Sequence, residues 1–299
     1  MTRWLVTGAG GQLGTDLVAV LSERGIDVVG LPRARLDVGD APAVDAAVRG
    51  ADVVVNAAAY TDVDGAETDE STAWRVNAEA PRALAAACAR HGARLVHVST
   101  DYVFAGTAHD PYDEHEPPAP RNAYGRSKLA GERAVLAALP SAYVVRTAWV
   151  YGGAGRNFVK TIARLAPERG TLAVVDDQHG SPTWSRDLAH ALVALVERAP
   201  DPGIYHCTNA GVTTWCGLAR AVFEELGFDP ARVTPTTSEA FVRPAPRPAW
   251  SVLGDRRWRA AGLAPLRAWR EALHAAFAVV GAELRGTSSA TARCDTAAR

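Results

Sequence analysis

Over the first half of this chain, short β-branched apolar runs alternate with longer helical patterns, and that alternation constrains the fold more than any other feature. Trp4 to Thr7, Asp27 to Leu31, Asp52 to Ala57, Leu95 to Thr100 and Tyr143 to Thr147 are dominated by apolar residues without polar alternation, so they predict strands buried on both faces. Leu13, Leu17, Val20 and Leu21 mark one helix face between the first two runs, and a similar helix is expected from about Ala78 to Arg90. Strand and helix in turn give an α/β fold, a doubly wound parallel sheet. Right-handed crossovers then gather the loops that follow the strands at one edge, where chemistry is expected.

The regularity lapses after about residue 149. Gly152 to Arg156 is a glycine-rich loop, a helix can start between Asn157 and Leu165, and Asp176 to Thr183 is rich in turn residues. A helix near Asp187 to Val196 and a strand near Gly203 to Cys207 are expected to rejoin the sheet. The expected division is residues 1–148 plus about 184–210 in a nucleotide-binding domain, and about 149–183 plus 211–285 in a smaller, mainly helical lobe. Three prolines between Val242 and Ala249 disfavour helix there. The stretch 286–299 lacks a core pattern and is expected to be disordered.

Thr7-Gly8-Ala9-Gly10-Gly11-Gln12-Leu13-Gly14 lies between the first strand and the first helix. Gly8 would turn the chain, Gly11 would let backbone approach a pyrophosphate, and Gly14 would let helix pack on strand. The pyrophosphate then meets the free N–H groups of the helix start. The result is a Rossmann-type dinucleotide site. After the second strand comes Gly30-Leu31-Pro32-Arg33-Ala34-Arg35, with no carboxylate to hold a ribose diol. A guanidinium suits a 2'-phosphate, so NADPH is the expected cofactor, with NADH the alternative and solvated loop charge the plain reading of Arg33 and Arg35. Asp37 and Val38 fall where side chains can reach an adenine.

The fourth strand ends in Ser99-Thr100-Asp101, and Asn122-Ala123-Tyr124-Gly125-Arg126-Ser127-Lys128 follows, a helix start with Asn122 as its cap. Tyr124 and Lys128 are four apart and share a helix face. An ammonium beside a phenol favours phenolate and makes tyrosine a better acid. Tyr124 would protonate a carbonyl oxygen as hydride reaches the carbon, Thr100 would hydrogen-bond that oxygen, and Lys128 would also hold the nicotinamide ribose. Lys128 is one of two lysines, with Lys160, among 32 basic residues, so a specific demand for an ammonium is expected there. A surface Tyr/Lys pair is the plain alternative.

Composition narrows the partners. A net charge of -1 offers no global attraction to nucleic acid or anionic membrane, and no apolar run approaches a membrane span. The N-terminus enters a strand pattern at once, so a cytoplasmic enzyme is expected. Cys88, Cys207, Cys216 and Cys294 have neither CxxC pairing nor a His at metal spacing, so no metal site is expected.

Further blocks are Val55-Asn56-Ala57-Ala58-Ala59-Tyr60-Thr61-Asp62-Val63-Asp64, Ser99 to Gly106, Arg146-Thr147-Ala148-Trp149-Val150-Tyr151-Gly152 and Asp177-Gln178-His179-Gly180-Ser181-Pro182-Thr183. Together with the glycine loop and the Tyr/Lys helix, they resemble the dTDP-4-dehydrorhamnose reductase family of extended short-chain dehydrogenase/reductases. The resemblance implies reduction of a dTDP-linked keto sugar by NADPH, in a monomer or homodimer. It implies cofactor contacts at Gly10 to Leu13, Asp37, Val38, Ala57, Ala58, Ala59, Tyr124 and Lys128. Substrate contacts are implied at Thr100, Asp101 and Trp149, with Asn157, Gln178 and Pro182 as further candidates; for Trp149 a core position is the alternative. Asp16 stands where some members carry a glutamate linked to metal-assisted dimerisation, and no metal is inferred from it. Three alternatives stay open: another dTDP-keto sugar, such as one leading to a dihydrostreptose; an epimerase or dehydratase; and a non-catalytic NADP-binding subunit. Dehydratases of the superfamily follow the threonine with Asp-Glu, whereas this chain has Asp101-Tyr102.

Overall fold

Six strands pair in parallel, β1 (Arg3–Thr7), β2 (Asp27–Leu31), β3 (Val53–Asn56), β4 (Arg94–Thr100), β5 (Tyr143–Thr147) and β6 (Gly203–His206), in the order β6-β5-β4-β3-β1-β2. The structure is a computed structural model that describes residues 2–286. Alternate side chains of each strand face opposite ways. Trp4, Val6, Val53, Val55 and Val145 join a cluster with α1 (Gln12–Glu23) and, later in the chain, the helix Ser185–Arg198. Leu5, Val54, Leu95 and Val144 face the opposite layer, α2 (Ala41–Val48), α3 (Ala80–His91) and α4 (Ala123–Ala138). Both faces are covered, which is why these strands carry apolar residues at nearly every position.

The strand order reverses at β1, which has β2 on one side and β3 on the other. The helices that follow β1 and β3 pack on opposite faces of the sheet, which opens a crevice at the carboxyl edge.

A second apolar cluster unites α5 (Phe158–Glu168), α6 (Ser185–Arg198, already placed on the sheet) through its leading Trp184, α7 (Trp215–Glu225) and α8 (Trp269–Leu284). This lobe is less purely helical than its sequence suggests. Leu172–Val175 pairs with Val233–Thr236, and His179–Gly180 pairs with Thr213–Thr214. The proline-bearing stretch 242–249 forms no helix.

One expected boundary needs correction. Trp258 and Leu263, placed by sequence in the second lobe, pack into the cluster of the large sheet. The cause is the open edge of β6: Arg257 donates to the carbonyls of Ile204 and Pro202, and Trp258 lies edge-on to Tyr205. The expected tail lies, beyond Gly286, outside the described residues.

Candidate active site

The loop after β1 and the loop after β3 touch without room for a side chain. A Cβ on Gly8, whose φ is +68°, would fall 2.6 Å from the Ala58 nitrogen, and one on Gly14 would fall 2.3 Å from the Gly8 carbonyl oxygen. Gly8 thus makes the turn, and Gly14 lets the start of α1 close on that turn rather than on the strand itself. Gly11 precedes α1 with no side-chain cap and no acidic residue in the first turn, leaving that positive helix end open to an anion. A cleft of about 430 Å³ runs beside it, lined by Gly8, Gly10, Gly11, Arg33, Asp37, Val38 and Ala57 to Ala59, among others. Arg35 is exposed outside this lining. The Leu13 side chain is buried in the core, which leaves only its backbone for a ligand. Gln12 Nε2 donates to the Arg156 carbonyl across the lobe boundary at 3.3 Å. The uncapped helix, the side-chain-free turn and a guanidinium at the rim fit a dinucleotide with a 2'-phosphate.

At the same edge, Thr100 ends β4 and Tyr124 opens α4. Asn122 caps the helix, accepting from the Gly125 N–H at 2.8 Å, and its amide donates to the Pro246 carbonyl. Thr100 donates its proton to Asp101 Oδ1 at 2.9 Å, and the Tyr124 hydroxyl lies within hydrogen-bonding reach of the Thr100 hydroxyl. The ring of Tyr102 stands edge-on to Tyr124 at 5.6 Å. Lys128 is buried on the same helix face and donates to the Val98 carbonyl at 2.7 Å. The expected trio is therefore together.

Its electrostatics differ from the sequence expectation. Burial pushes the Tyr124 phenol up to about 12, with the Thr100 hydrogen bond opposing and the Asp101 charge adding to the rise. Burial also draws Lys128 down to about 8, against the pull of Glu132. In this state the ammonium is engaged by a backbone carbonyl, and desolvation rather than the lysine sets the acidity of Tyr124. A proton donor that stays protonated until the alkoxide forms is still the right form for reduction. Thr100, likewise, has spent its proton on Asp101 and must turn to reach a substrate oxygen. Burial raises the Asp101 carboxyl to about 6.

The second lobe faces this edge through Trp149, which follows β5 with φ +48°, an uncommon conformation for a bulky residue. Its ring stacks on Trp215 at 3.5 Å, and Gly180 leaves the space it needs, since a Cβ there would lie 2.3 Å from the indole. Trp215 donates to Gln178 Oε1 at 3.0 Å, and Gln178 donates to Ser238. Trp215 was not foreseen; its sequence context carries no spacing signal, and only the fold brings it to Trp149. Asn157 is spent on local structure, capping α5 through the Lys160 N–H and donating to the Gly152 carbonyl. Pro182 is buried between two short strands. Among the described residues no cluster of His, Cys, Asp and Glu could hold a metal, and no helix is long and apolar enough to cross a membrane.

Comparison with known proteins places this geometry. The model of the RmlD substrate binding domain matches residues 2–281. The dTDP-4-dehydrorhamnose reductase of Mycobacterium tuberculosis is 53% identical over 281 residues, covering 92% of each chain. A probable dTDP-4,6-dihydroxy-2-methyloxan-3-one 4-ketoreductase of Streptomyces antibioticus is 55% identical over 280 residues, covering 92% of this chain and 94% of its own. Among solved structures, the dTDP-4-dehydrorhamnose reductase of Bacillus anthracis in complex with NADP superposes with a TM-score of 0.90 at 37% identity, covering 93% of this chain and 99% of that one.

Proposed function

The chain belongs to the RmlD substrate-binding-domain family, and from that premise we propose that it is an NADPH-dependent reductase of a dTDP-linked keto sugar, dTDP-4-dehydrorhamnose in the first instance. The observation that carries this reading is the buried contact between Thr100 and Tyr124 at the sheet edge beside the open start of α1. Gly10 to Leu13 would hold the cofactor's pyrophosphate through backbone N–H groups, and Arg33 its 2'-phosphate. Bound NADPH supplies the hydride. Tyr124 gives its proton to the oxygen that becomes alkoxide, and Thr100, turned from Asp101, orients that oxygen. Lys128 lies one helical turn behind, where an ammonium stabilises the phenolate left after transfer. Trp149 offers an aromatic wall for the sugar nucleotide.

A second substrate reading has its own support, because the Streptomyces antibioticus relative, named for a different keto sugar, is as similar as the mycobacterial one. Purified protein with NADPH and a panel of dTDP-4-keto sugars tests both, following NADPH loss and product stereochemistry by NMR. Stoichiometric oxidation is expected, and Tyr124→Phe should lower turnover by about 10² to 10⁴ while still binding NADPH. Undiminished turnover in that variant, or no NADPH loss with any sugar, would sink the proposal.

A further inference from the structure

The face of α4 that carries Tyr124 and Lys128 continues, four residues on, to Glu132, which is only 1% exposed. Its carboxylate accepts from the Ser99 hydroxyl at 2.5 Å, from Arg146 Nε at 2.9 Å and from Arg146 Nη2 at 2.7 Å. Arg146, also 1% exposed, lies over the Phe104 ring and points Nη1 at His206 Nε2, 3.4 Å away. His206 gives its Nδ1 proton to the Gly254 carbonyl, so Nε2 is the lone pair that receives Arg146. Burial keeps that imidazole neutral, down at about 3. Every element of this pair is thus fixed from several sides.

Such a pair is costly to bury, and apolar residues of similar volume would serve stability as well or better. Its position suggests a different use. Ser99 lies between Val98, whose carbonyl holds Lys128, and Thr100. The charged and titratable groups that act on Lys128 are Glu132 on its own helix and His97 from β4, with Tyr124 one turn earlier on the same helix. Burial holds His97 neutral, well below its ordinary range, so it lends no negative charge. Glu132 is the charge that favours the ammonium.

We propose that Glu132, clamped by Arg146 and Ser99, is a positioning residue whose buried carboxylate keeps Lys128 a cation at the site. The proposal rests on the reading of Lys128 as a site lysine. Without Glu132, only the Val98 carbonyl is left to hold the ammonium against desolvation.

The scarcity of lysine makes the test direct. With ¹³Cε-lysine labelling the cofactor-free full chain gives two side-chain signals, from Lys128 and Lys160, and Lys160→Arg assigns them. Because Glu132→Gln alone would strand the Arg146 charge, it is paired with Arg146→Met. The paired variant is expected to lower the Lys128 titration midpoint by about one unit or more, a tenfold loss of proton affinity, and to move the alkaline limb of kcat with it. A merely structural pair would change the unfolding temperature and leave that titration in place. An unmoved Lys128 midpoint in the folded variant overturns the proposal, as does a wild-type Lys128 that is already neutral at pH 7, a result needing no variant. The titration requires no turnover, so an inert wild type would refute the proposed function and leave this test standing.

Discussion

A buried hydroxyl with one proton and two neighbours forces a choice at Thr100, and here Asp101 receives the proton. The Asp101 carboxyl is raised by burial to about 6, above its unfolded value, so the folded state binds that proton more tightly. The stabilising contribution is complete below the unfolded pKa of about 4 and is lost as pH rises through about 6. At pH 7.5 the ionised group then costs on the order of 2 to 3 kcal/mol. Asp101→Asn is expected to raise the thermal midpoint at pH 7.5 and to leave it unchanged near pH 4; parallel pH profiles for the two proteins would contradict this. Arg33 poses a simpler question. If its guanidinium at the cleft rim meets a 2'-phosphate, Arg33→Ser should raise the KM for NADPH about tenfold or more and leave that for NADH nearly unchanged. Equal effects on the two cofactors would assign Arg33 to the solvated surface.

At the scale of elements, the decisive contact is between the first turn of α4 and the turn that follows β4. A Cβ on Gly125 would lie 2.2 Å from the Tyr102 carbonyl oxygen, a backbone atom with no room to yield. Helix propensity favours Gly→Ala by about 1 kcal/mol, but overpacking against backbone costs about 1 to 3 kcal/mol, so the steric effect wins. Gly125→Ala should therefore destabilise the fold and, by shifting Tyr124 away from Thr100, cut kcat at least about tenfold. A variant with wild-type kcat and a higher unfolding temperature would mean that helix propensity outweighs the steric clash. The helix start is also tied down from elsewhere: Glu67 accepts from the Ala123 N–H at 2.7 Å, beside the Asn122 cap. The tyrosine is placed by backbone, not by its own contacts.

Across the whole molecule, the segment around 243–250 straps the two lobes together. Arg243 and Arg247 both pair with Asp64 of the nucleotide-binding half, while the Trp250 N–H donates to Gly106 and the His179 N–H to Ala249. Burial acts to raise the Asp64 carboxyl, but the Ala245 N–H and the two guanidiniums hold it below its usual range. These pairs are partly exposed and worth about 1 kcal/mol or less, so Asp64→Asn should scarcely lower global stability. Local opening is more sensitive. Hydrogen exchange in peptides covering 241–248 should speed up in that variant while the sheet strands stay protected, and unchanged uptake would mean the strap is held by other contacts. The sequence by itself determined the periodic parts of this protein: the six strands of the parallel sheet, the glycine turn at Gly8 and Gly14, and the four-residue step from Tyr124 to Lys128. These depend on local periodicity and backbone freedom, which a single chain displays openly. Only the tertiary structure decided that Trp258 covers the edge of β6, that Trp149 meets Trp215, and that Lys128 faces the Val98 carbonyl with Glu132 behind it. Those outcomes depend on desolvation and on partners far apart in sequence, and neither has a period to read.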